Sequence, residues 1–401
     1  MMFTDINEAL KWITSIRNKD YSFERFKKLC NELNEPQDGF YTVHIAGTDG
    51  KGSTVNYLRA MLMSLGYKVG TFTSPHYLTH LDRIRINDIN ISEETFLRIL
   101  NENLELFMKK SLSMFEMDYL IMCQFFREEK VDYALIEVGL GGRLDCTNVV
   151  NDTKLSIITT IGYDHMERLG NTLEAICREK CGIIKDDSRI LIGDLNESCK
   201  NIVRQTAFAH HASFYEKKAY VDLGERKFLY EGKEYELASY ADYQKHNASL
   251  ALQALEMIAQ DSGFIIDDQK IKEVLKNTIW HCRFEIVRKK PLVILDGAHN
   301  IHGIEALVKS FDLFTGSKCI IFSALKRKEY RKMAVLLHQH TDRLIITTFP
   351  NSEVIDLNEF REYETEPDYH KAIREAMIEY ENILICGSLY FMSEVVLNCK
   401  F

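Results

Sequence analysis

The sequence predicts an α/β protein that is built around parallel sheets. Short β-branched runs alternate with helical patterns between residues 41 and 192, and a second alternating series follows residue 284. This alternation is typical of βαβ units, in which a helix returns the chain so that successive strands run parallel. The first strand also leads into a glycine-rich segment of the P-loop type, which favours a phosphate-binding sheet in the N-terminal part.

The first sheet is predicted from apolar runs that are bounded by turn residues: Tyr41 to Ala46, Lys68 to Thr73, Tyr133 to Val138, Leu155 to Ile161 and Arg189 to Ile192. After the first run, apolar residues recur at helical spacing from Val55 to Leu65, and Gly66 stands where a helix C-cap belongs. The glycine-rich segment therefore joins a strand to a helix.

Residues 213 to 237 differ in composition, because aromatic and β-branched residues surround Gly224 and Gly232. This pattern predicts a small antiparallel excursion. The segment "ADYQKHNASLALQALEMIAQ" then predicts a long helix. The first domain is expected to span residues 1 to 283.

The second domain, residues 284 to 401, is predicted to be Rossmann-like. It contains the strands "PLVILD", "KCIIFSA", "RLIITTF" and "NILICGS", with helices near residues 302 to 314, 328 to 338 and 369 to 380. The hairpin "FEIVRKKPLVIL" begins this domain, so the boundary is expected between residues 283 and 284.

Composition limits the partners and the compartment. The net charge of −9, without a strongly basic block, indicates that nucleic acid is not a partner. The sequence contains no signal-peptide pattern and no run of 18 or more apolar residues, and its ten cysteines form no CxxC pair. We expect buried free thiols, a cytoplasmic location, no membrane partner and a monomer.

The segment "HIAGTDGKGSTVNYL" departs from the usual P-loop, because Ile45 takes the first glycine position and Gly52 separates Lys51 from Ser53. Its three glycines nevertheless permit a loop with inward amides, and a helix predicted to begin at Ser53 offers unpaired N–H groups. Lys51 can neutralise the β and γ phosphates of a nucleotide. The alternative is a glycine-rich turn that only joins strand to helix.

Polar residues also follow the predicted parallel strands. Ser74, Glu137 and Asp164-His165 end three of them. Since the carboxyl ends of parallel strands meet at one edge, these residues are expected near the phosphate loop. A carboxylate, a hydroxyl and an imidazole are enough for Mg²⁺ when phosphate oxygens and waters complete its shell, although such residues also occur at strand ends without a ligand.

The loop "GTDGKGST" resembles the nucleotide loop of the Mur ligase superfamily, and most of all that of folylpolyglutamate synthase and dihydrofolate synthase. The segments "TSPH", "RIRIN", "EVGLGGRLDCTNVV", "IGYDHMERLGNT" and "REKCGIIK" match that family in order. The resemblance implies ATP contacts from the loop residues Thr48, Asp49, Gly50, Lys51, Gly52 and Ser53. It also makes residues 1 to 283 an ATP- and pterin-binding domain and residues 284 to 401 a ligase domain.

The same resemblance implies two Mg²⁺ ions and a modified lysine. Ser74 and Glu137 would hold one ion, and Glu137 and His165 the second. Lys180 would be carbamylated, which turns its positive charge into a negative one. Lys51, Glu137, His165 and Lys180 are thus the expected catalytic set.

The resemblance implies a pterin pocket as well. Phe115 would stack on the ring and Glu116 would accept hydrogen bonds from its amino groups, although Phe115, Tyr119 and Met122 also fit a buried helical stripe. Leu144, Asp145 and Cys146 match the other pterin-loop positions. An N-terminal helix that closes the pocket matches loosely from Ser15 to Arg17.

Three further residues match nucleotide contacts of the family: Asn247, Arg283 and Asp296. Together they suggest ATP held between two domains. His281 and Cys282 replace the family's Pro-Gly before Arg283.

The function implied by the resemblance is the ATP-dependent joining of L-glutamate to the carboxylate of a folate, and also of dihydropteroate, through an acyl phosphate. Two alternatives are a Mur-type peptide ligase that acts on another acid and a non-ligating P-loop kinase or NTPase.

Overall fold

The computed structural model describes residues 2–16 and 21–401, and the chain divides into two compact units. Unit 1 comprises Met1–Ala219 and Asn247–Val274, and unit 2 comprises Tyr220–His246 and Leu275–Phe401. This division groups residues 220 to 246 with the C-terminal region. The domain boundary between residues 283 and 284 stays a prediction.

Within residues 2–16 and 21–219, unit 1 contains eight α-helices and eight strands. The helices are α1 (Ile6–Ser15), α2 (Phe23–Glu32), α3 (Lys51–Ser64), α4 (Glu93–Lys109), α5 (Met114–Glu128), α6 (Met166–Leu169), α7 (Leu173–Cys181) and α8 (Glu197–Ala209). The strands are β1 (Tyr41–Ala46), β2 (Val69–Phe72), β3 (Ile84–Ile86), β4 (Ile89–Asn90), β5 (Tyr133–Glu137), β6 (Thr153–Ile158), β7 (Arg189–Ile192) and β8 (Ser213–Glu216).

These strands form one sheet in the order β4-β3-β2-β5-β1-β6-β7-β8. The pairs from β2 to β8 are parallel, and β3 and β4 add an antiparallel edge. The predicted α/β fold with a parallel first sheet is confirmed. One detail was wrong: residues 213–216, predicted to belong to the antiparallel excursion, extend the large sheet because they pair in parallel with β7.

The centre of this sheet is β1, which lies between β5 and β6. Its residues from Thr42 to Ala46 are buried, and α3 behind it is buried from Ser53 to Leu62. Gly66, with φ +97°, ends α3 as the spacing predicted, and the amide of Tyr67 donates to the carbonyl of Leu62. The first strand–turn–helix unit is therefore held rigidly inside unit 1.

Two helices contain residues of both units: α9 (Asp242–Ser262) and α10 (Asp268–Asn277). The long helix predicted from "ADYQKHNASLALQALEMIAQ" corresponds to α9.

Unit 2 contains nine strands and four further helices. The strands are β9 (Tyr220–Asp222), β10 (Lys227–Tyr230), β11 (Lys233–Glu236), β12 (Glu285–Lys289), β13 (Leu292–Asp296), β14 (Lys318–Phe322), β15 (Arg343–Thr348), β16 (Glu364–Asp368) and β17 (Asn382–Cys386). The helices are α11 (Ile301–Phe311), α12 (Tyr330–His338), α13 (Tyr369–Glu379) and α14 (Leu389–Asn398).

Strands β9 to β11 form the predicted antiparallel excursion, and the others form a sheet in the order β12-β13-β17-β14-β15-β16. Only β12 pairs in antiparallel fashion there, as the hairpin predicted. The sequence did not reveal β16, because a strand of alternating acidic residues at a sheet edge lacks the apolar run that marks the others.

The described part of the chain contains no helix with the length and apolarity that a bilayer crossing requires. All ten cysteines are free thiols, and all but Cys399 are buried, as the absence of CxxC pairs predicted.

Candidate functional site

The phosphate-type loop ends in a glycine with a left-handed backbone. Gly50 has φ +81° and caps α3, which therefore begins at Lys51 and not at Ser53 as predicted. The difference places Lys51 and Gly52 in the first helical turn, while Ser53 lies buried behind them. Because the first N–H groups of a helix have no partner within it, this turn presents donors to an anion.

The loop is fastened to the segment that follows β6. The amide of Thr48 donates to the carbonyl of Thr160 at 2.9 Å, and the amide of Asp49 donates to the Thr160 hydroxyl at 3.0 Å. The Thr159 hydroxyl donates to the carbonyl of Asp49 at 2.5 Å. Gly47 has no room for a side chain, since an added Cβ would lie 1.8 Å from the Thr159 oxygen.

Two lysines converge on one carbonyl oxygen of this loop. The Nζ of Lys51 donates to the Gly47 carbonyl at 3.0 Å and to the Thr48 carbonyl at 3.1 Å. The Nζ of Lys180, from α7, donates to the same Gly47 oxygen at 2.8 Å. The structure thus joins two of the predicted catalytic residues at the phosphate loop.

Lys180 is only 4% exposed. Burial, and then the neighbouring ammonium of Lys51, lower its pKa to about 7, against the opposing influence of Asp164 and Asp49. The neutral amine of Lys180 is therefore accessible near neutral pH. A neutral amine is a nucleophile, which a protonated one is not.

Ser74 and Glu137, the first pair of predicted metal ligands, also lie together. Glu137 ends β5, opposite Ile45 of β1 in the strand register, and is 5% exposed. Its Oε2 accepts a hydrogen bond from the amide of Ser74 at 3.2 Å. This carboxylate lies on the strand that neighbours the one that leads into the loop.

His165 lies beyond the end of β6, at the start of α6, with φ +52°. Its Nε2 is 3.8 Å from Asp164 and its Nδ1 is 3.8 Å from Glu167. Within residues 2–16 and 21–401, no three His, Cys, Asp or Glu side chains form a group that could hold a metal alone. The predicted set of one carboxylate, one hydroxyl and one imidazole fits Mg²⁺ only with phosphate oxygens and waters as further ligands.

Asn247, a predicted nucleotide contact, lies at the phosphate loop. An added Cβ on Gly50 would lie 2.4 Å from the Asn247 Oδ1, so the amide rests directly against that glycine. Asn247 is 7% exposed and belongs to α9. A side chain at residue 50 would therefore be excluded twice, by φ and by Asn247.

Three of the predicted pterin residues lie close together: Phe115 and Asp145 both approach Gly139, and Cys146 contacts the backbone of Phe115. An added Cβ on Gly139 would meet the Phe115 ring at 2.5 Å and the Asp145 carboxylate at 3.2 Å. The Cys146 thiol donates to the carbonyl of Phe115 at 3.8 Å. Tyr119 is fully buried, whereas Phe115 is half-buried and stacks on Phe72 at 5.3 Å.

Asp145 is held by hydrogen bonds that link its loop to the central strand. Its carboxylate accepts from the Leu140 amide at 2.8 Å and from the Thr147 hydroxyl at 2.6 Å, and that hydroxyl lies 2.8 Å from the Nε2 of His44 on β1. Burial raises the pKa of Asp145 and lowers the pKa of His44 to about 3. The loop is therefore fixed to the same strand that leads into the phosphate loop.

The other two predicted pterin residues contact residues that sequence reasoning missed. Tyr21 donates its hydroxyl to the carbonyl of Leu144 at 2.6 Å. Glu116 is fully buried, and Arg25 lies 3.7 Å from its Oε1. Neither Tyr21 nor Arg25 belongs to one of the motifs from which the site was predicted, because both lie in the segment before the first strand. Of the N-terminal match from Ser15 to Arg17, Arg17 lies outside the described residues.

In unit 2, Asp296 ends β13 and is 2% exposed. It accepts from the Tyr243 hydroxyl at 2.5 Å and from the Phe284 amide at 2.8 Å. Burial raises its pKa, and Arg283 opposes this rise. Cys282 has φ +54°, a left-handed conformation that glycine adopts more readily than other residues. Arg283 and Asp296 thus lie close together, and their roles stay predictions.

Two family models match the chain. The Mur ligase middle domain matches residues 45–257, and the glutamate ligase domain of the Mur ligases matches residues 282–389. The dihydrofolate synthase/folylpolyglutamate synthase of Bacillus subtilis (strain 168) is 35% identical, over 98% of this chain and 99% of that protein.

Two solved structures are similar over nearly the whole chain. E. coli FolC in complex with DHPP and ADP has a TM-score of 0.88 at 26% identity, covering 98% of this chain and 97% of that one. A bifunctional folylpolyglutamate synthase/dihydrofolate synthase with Mn, AMPPNP and L-glutamate bound has a TM-score of 0.87 at 26% identity, covering 99% and 98%.

The low pKa of Lys180 predicts a pH dependence of stability. Between pH 7 and the unfolded-state pKa of 10.5, the unfolded chain binds more protons at this residue, so the free energy of unfolding rises with pH. Below pH 7 the full penalty of burying the charge is present. Lys180→Met should therefore gain stability relative to the wild type at pH 6, and this gain should shrink towards pH 10.

Urea unfolding in CO₂-free buffer across this range measures the effect. Lys154→Met, at a half-exposed surface lysine, is the control and should show a flat difference. If the difference in the free energy of unfolding between Lys180→Met and the wild type is equally independent of pH, the lowered pKa of Lys180 is contradicted.

Proposed function

Because the chain belongs to the dihydrofolate synthase/folylpolyglutamate synthase family of the Mur ligases, we propose that the loop and the strand ends of its first sheet form the ligase site. The protein is an ATP-dependent ligase that joins L-glutamate to the carboxylate of a folate and forms ADP and phosphate. The observation that supports this site most is the convergence of Lys51 and Lys180 on the Gly47 carbonyl, beside the strand that ends in Glu137.

The chemistry requires an activated acid. A carboxylate resists attack by an amine, because the negative charge that its two oxygens share makes its carbon a poor electrophile. Transfer of the γ-phosphoryl group of ATP to a carboxylate oxygen gives an acyl phosphate and ADP. The free amine of L-glutamate then attacks the acyl carbon, the carbon–oxygen bond to phosphate breaks, and an amide and phosphate result. This sequence needs positioning and charge stabilisation, and no protein nucleophile.

We assign the phosphate contacts to residues 48 to 53. The first turn of α3 offers its amides and the positive end of its dipole to the phosphates. Lys51 would exchange its two loop carbonyls for phosphate oxygens, which carry more negative charge. The backbone of Asp49 is fixed within this loop, since both its amide and its carbonyl bind the Thr159–Thr160 segment.

We assign the Mg²⁺ ligands to Ser74, Glu137 and His165. Bound Mg²⁺ supplies positive charge that stabilises the transferring phosphoryl group. The Ser74 amide aligns the Glu137 carboxylate, and the burial of Glu137 keeps competing water away from it. The related bifunctional enzyme was solved with Mn and AMPPNP, which supports a divalent ion with the nucleotide.

We further propose that Lys180 is carbamylated. Its neutral amine attacks the carbon of CO₂, an N–C bond forms, and one proton is released. The product is an anion, so the repulsion between two ammonium groups at Gly47 becomes an attraction between Lys51 and a carbamate. The low pKa supports this assignment, because an ordinary lysine is almost entirely protonated at neutral pH.

Both dihydropteroate and reduced folates are proposed as acid substrates, since each carries a pterin ring and a carboxylate. Phe115, Glu116, Leu144, Asp145 and Cys146 would receive the ring, and the half-buried face of Phe115 supports stacking. Asn247 would contact the nucleotide beside Gly50, and Arg283 and Asp296 are proposed as further nucleotide contacts.

A cytoplasmic location and a monomeric state complete the proposal. Ten free thiols are typical of a reducing compartment. All the residues assigned here come from one chain.

The ligase assignment predicts a defined product. With ATP, Mg²⁺ and L-glutamate, the protein should release ADP only when dihydropteroate or tetrahydrofolate is present, and mass spectrometry should show the acid enlarged by one glutamate. Lys51→Ala should lose this activity yet keep cooperative unfolding, because the lysine contacts loop carbonyls and not the core. Phosphate release that is independent of both acid and glutamate would contradict the assignment.

Glu137→Gln should raise the Mg²⁺ concentration for half-maximal activity by at least about tenfold, because the amide removes the charge of the proposed shared ligand. Glu167→Gln is a matched control, since Glu167 is an exposed carboxylate near His165 that the proposal does not use. A magnesium titration of both variants measures the effect. Equal curves for Glu137→Gln and the wild type would remove Glu137 from the metal set.

The carbamate should be visible by ¹³C NMR. In ¹³C-bicarbonate, the wild type is expected to show one carbamate signal that Lys180→Met lacks and that disappears on acidification. A crystal map should then show density beyond the Lys180 Nζ. A wild-type spectrum identical to that of Lys180→Met would contradict the modification.

A further inference from the structure

An arginine from α2 lies against the start of α5, where Phe115 and Glu116 are found. The Nη2 of Arg25 is 3.7 Å from the Oε1 of Glu116. Glu116 has no exposed surface, whereas the Arg25 side chain is 35% exposed. The pair therefore joins a partly exposed arginine side chain to a buried carboxylate.

The two oxygens of Glu116 have different surroundings. Its Oε2 accepts from the Ser113 amide at 2.7 Å and from the Ser113 hydroxyl at 2.6 Å, which closes a capping box at the start of α5. Among the described residues, its Oε1 has no hydrogen-bond partner. The oxygen that the capping box leaves unused is thus the one beside Arg25.

Arg25 is unsatisfied in the same way. Its Nε and Nη2 are buried and, in the part of the chain that the structure describes, have no hydrogen-bond partner. Arg25 also lines a cavity of about 200 Å³ together with Lys28, Lys110 and Glu32. Glu32 pairs with Lys110 at 2.7 Å, so the charges of the cavity are mixed, whereas Glu116 is the buried carboxylate that lies beside the guanidinium.

The start of this segment contacts the opposite side of the proposed pterin pocket. Tyr21 donates to the Leu144 carbonyl at 2.6 Å, and burial raises the pKa of its phenol, with further contributions from Cys146 and Asp145. The charge of Arg25 opposes this rise in the pKa of Tyr21, so Tyr21 and Arg25 interact electrostatically. Residues 21 to 25 therefore contact both the Leu144 side and the Glu116 side.

We propose that Arg25 is a positioning residue for the pterin acid. Its guanidinium compensates the buried charge of Glu116 and keeps Oε1 directed for the amino groups of the ring. The inference rests on the proposed function, because it assumes that Glu116 contacts the pterin. Arg25 itself need not touch the substrate.

Steady-state kinetics of the full-length Arg25→Met variant tests the proposal. The KM for dihydropteroate or tetrahydrofolate should rise roughly tenfold, the effect of losing one charge-assisted contact, while kcat and the KM for ATP stay unchanged. Arg25→Lys should recover part of the loss, since it restores the charge without the planar fork. Lys28→Met is the matched control, because Lys28 lines the same cavity and should leave all constants unchanged.

A double-mutant cycle with Glu116→Gln isolates the pair. In that background Arg25→Met should have no further effect on the KM of the acid, because the charge through which Arg25 acts is gone. The double variant also avoids an uncompensated buried carboxylate, so it keeps the test valid if Arg25→Met alone fails to fold.

The outcomes separate the two levels of the proposal. A wild type that forms no glutamate product defeats the proposed function. A wild type that is active, with Arg25→Met equal to Lys28→Met, overturns only the role of Arg25. The role of Arg25 is also overturned if Arg25→Met raises the KM of the acid equally in the Glu116→Gln background, or if it raises the KM values for the acid and for ATP together.

Discussion

The parallel pairing of β1 with β5 and β6 is the constraint on which the site depends. Parallel pairing brings the carboxyl ends of these strands to one edge, so the loop after β1, Glu137 at the end of β5 and Thr159–Thr160 after β6 become neighbours. The threonines fasten the loop, and the left-handed Gly50 starts α3 at once. The edge therefore presents amides and a lysine without any movement of the backbone.

Charge is balanced closely at this edge. Two amine groups share the Gly47 carbonyl. Burial of Lys180, and then the neighbouring charge of Lys51, lower the pKa of Lys180, and Asp164 and Asp49 oppose this only in part. In water such a pair would separate, but here burial and the helix α7 fix it. Two positive charges that lie this close repel each other, and an anionic phosphate beside them would lower that repulsion. The conversion of one lysine into an anion would lower it as well.

The proposed pterin pocket depends on the same central strand. His44 of β1, Thr147 and Asp145 form a buried chain of hydrogen bonds, so the loop that carries Leu144 to Cys146 has a fixed distance from the phosphate loop. Gly139 lets Phe115 approach that loop closely. A substrate with a flat ring at one end and a carboxylate at the other needs such a fixed distance, because the acid must meet the γ-phosphate when the ring is bound.

The sequence by itself determined the α/β class, most strand positions and the phosphate loop, because apolar periodicity and glycine placement act over short segments. It predicted the residues 115 to 116 and 144 to 146 only through resemblance, since a helical stripe that includes Tyr119 fits a core equally well. Only the tertiary structure decided that Lys180 meets Gly47 across 133 residues, that α3 begins at Lys51, and that Arg25 faces Glu116. These contacts join distant segments whose separation in space is set by packing, and local pattern carries no information about that separation.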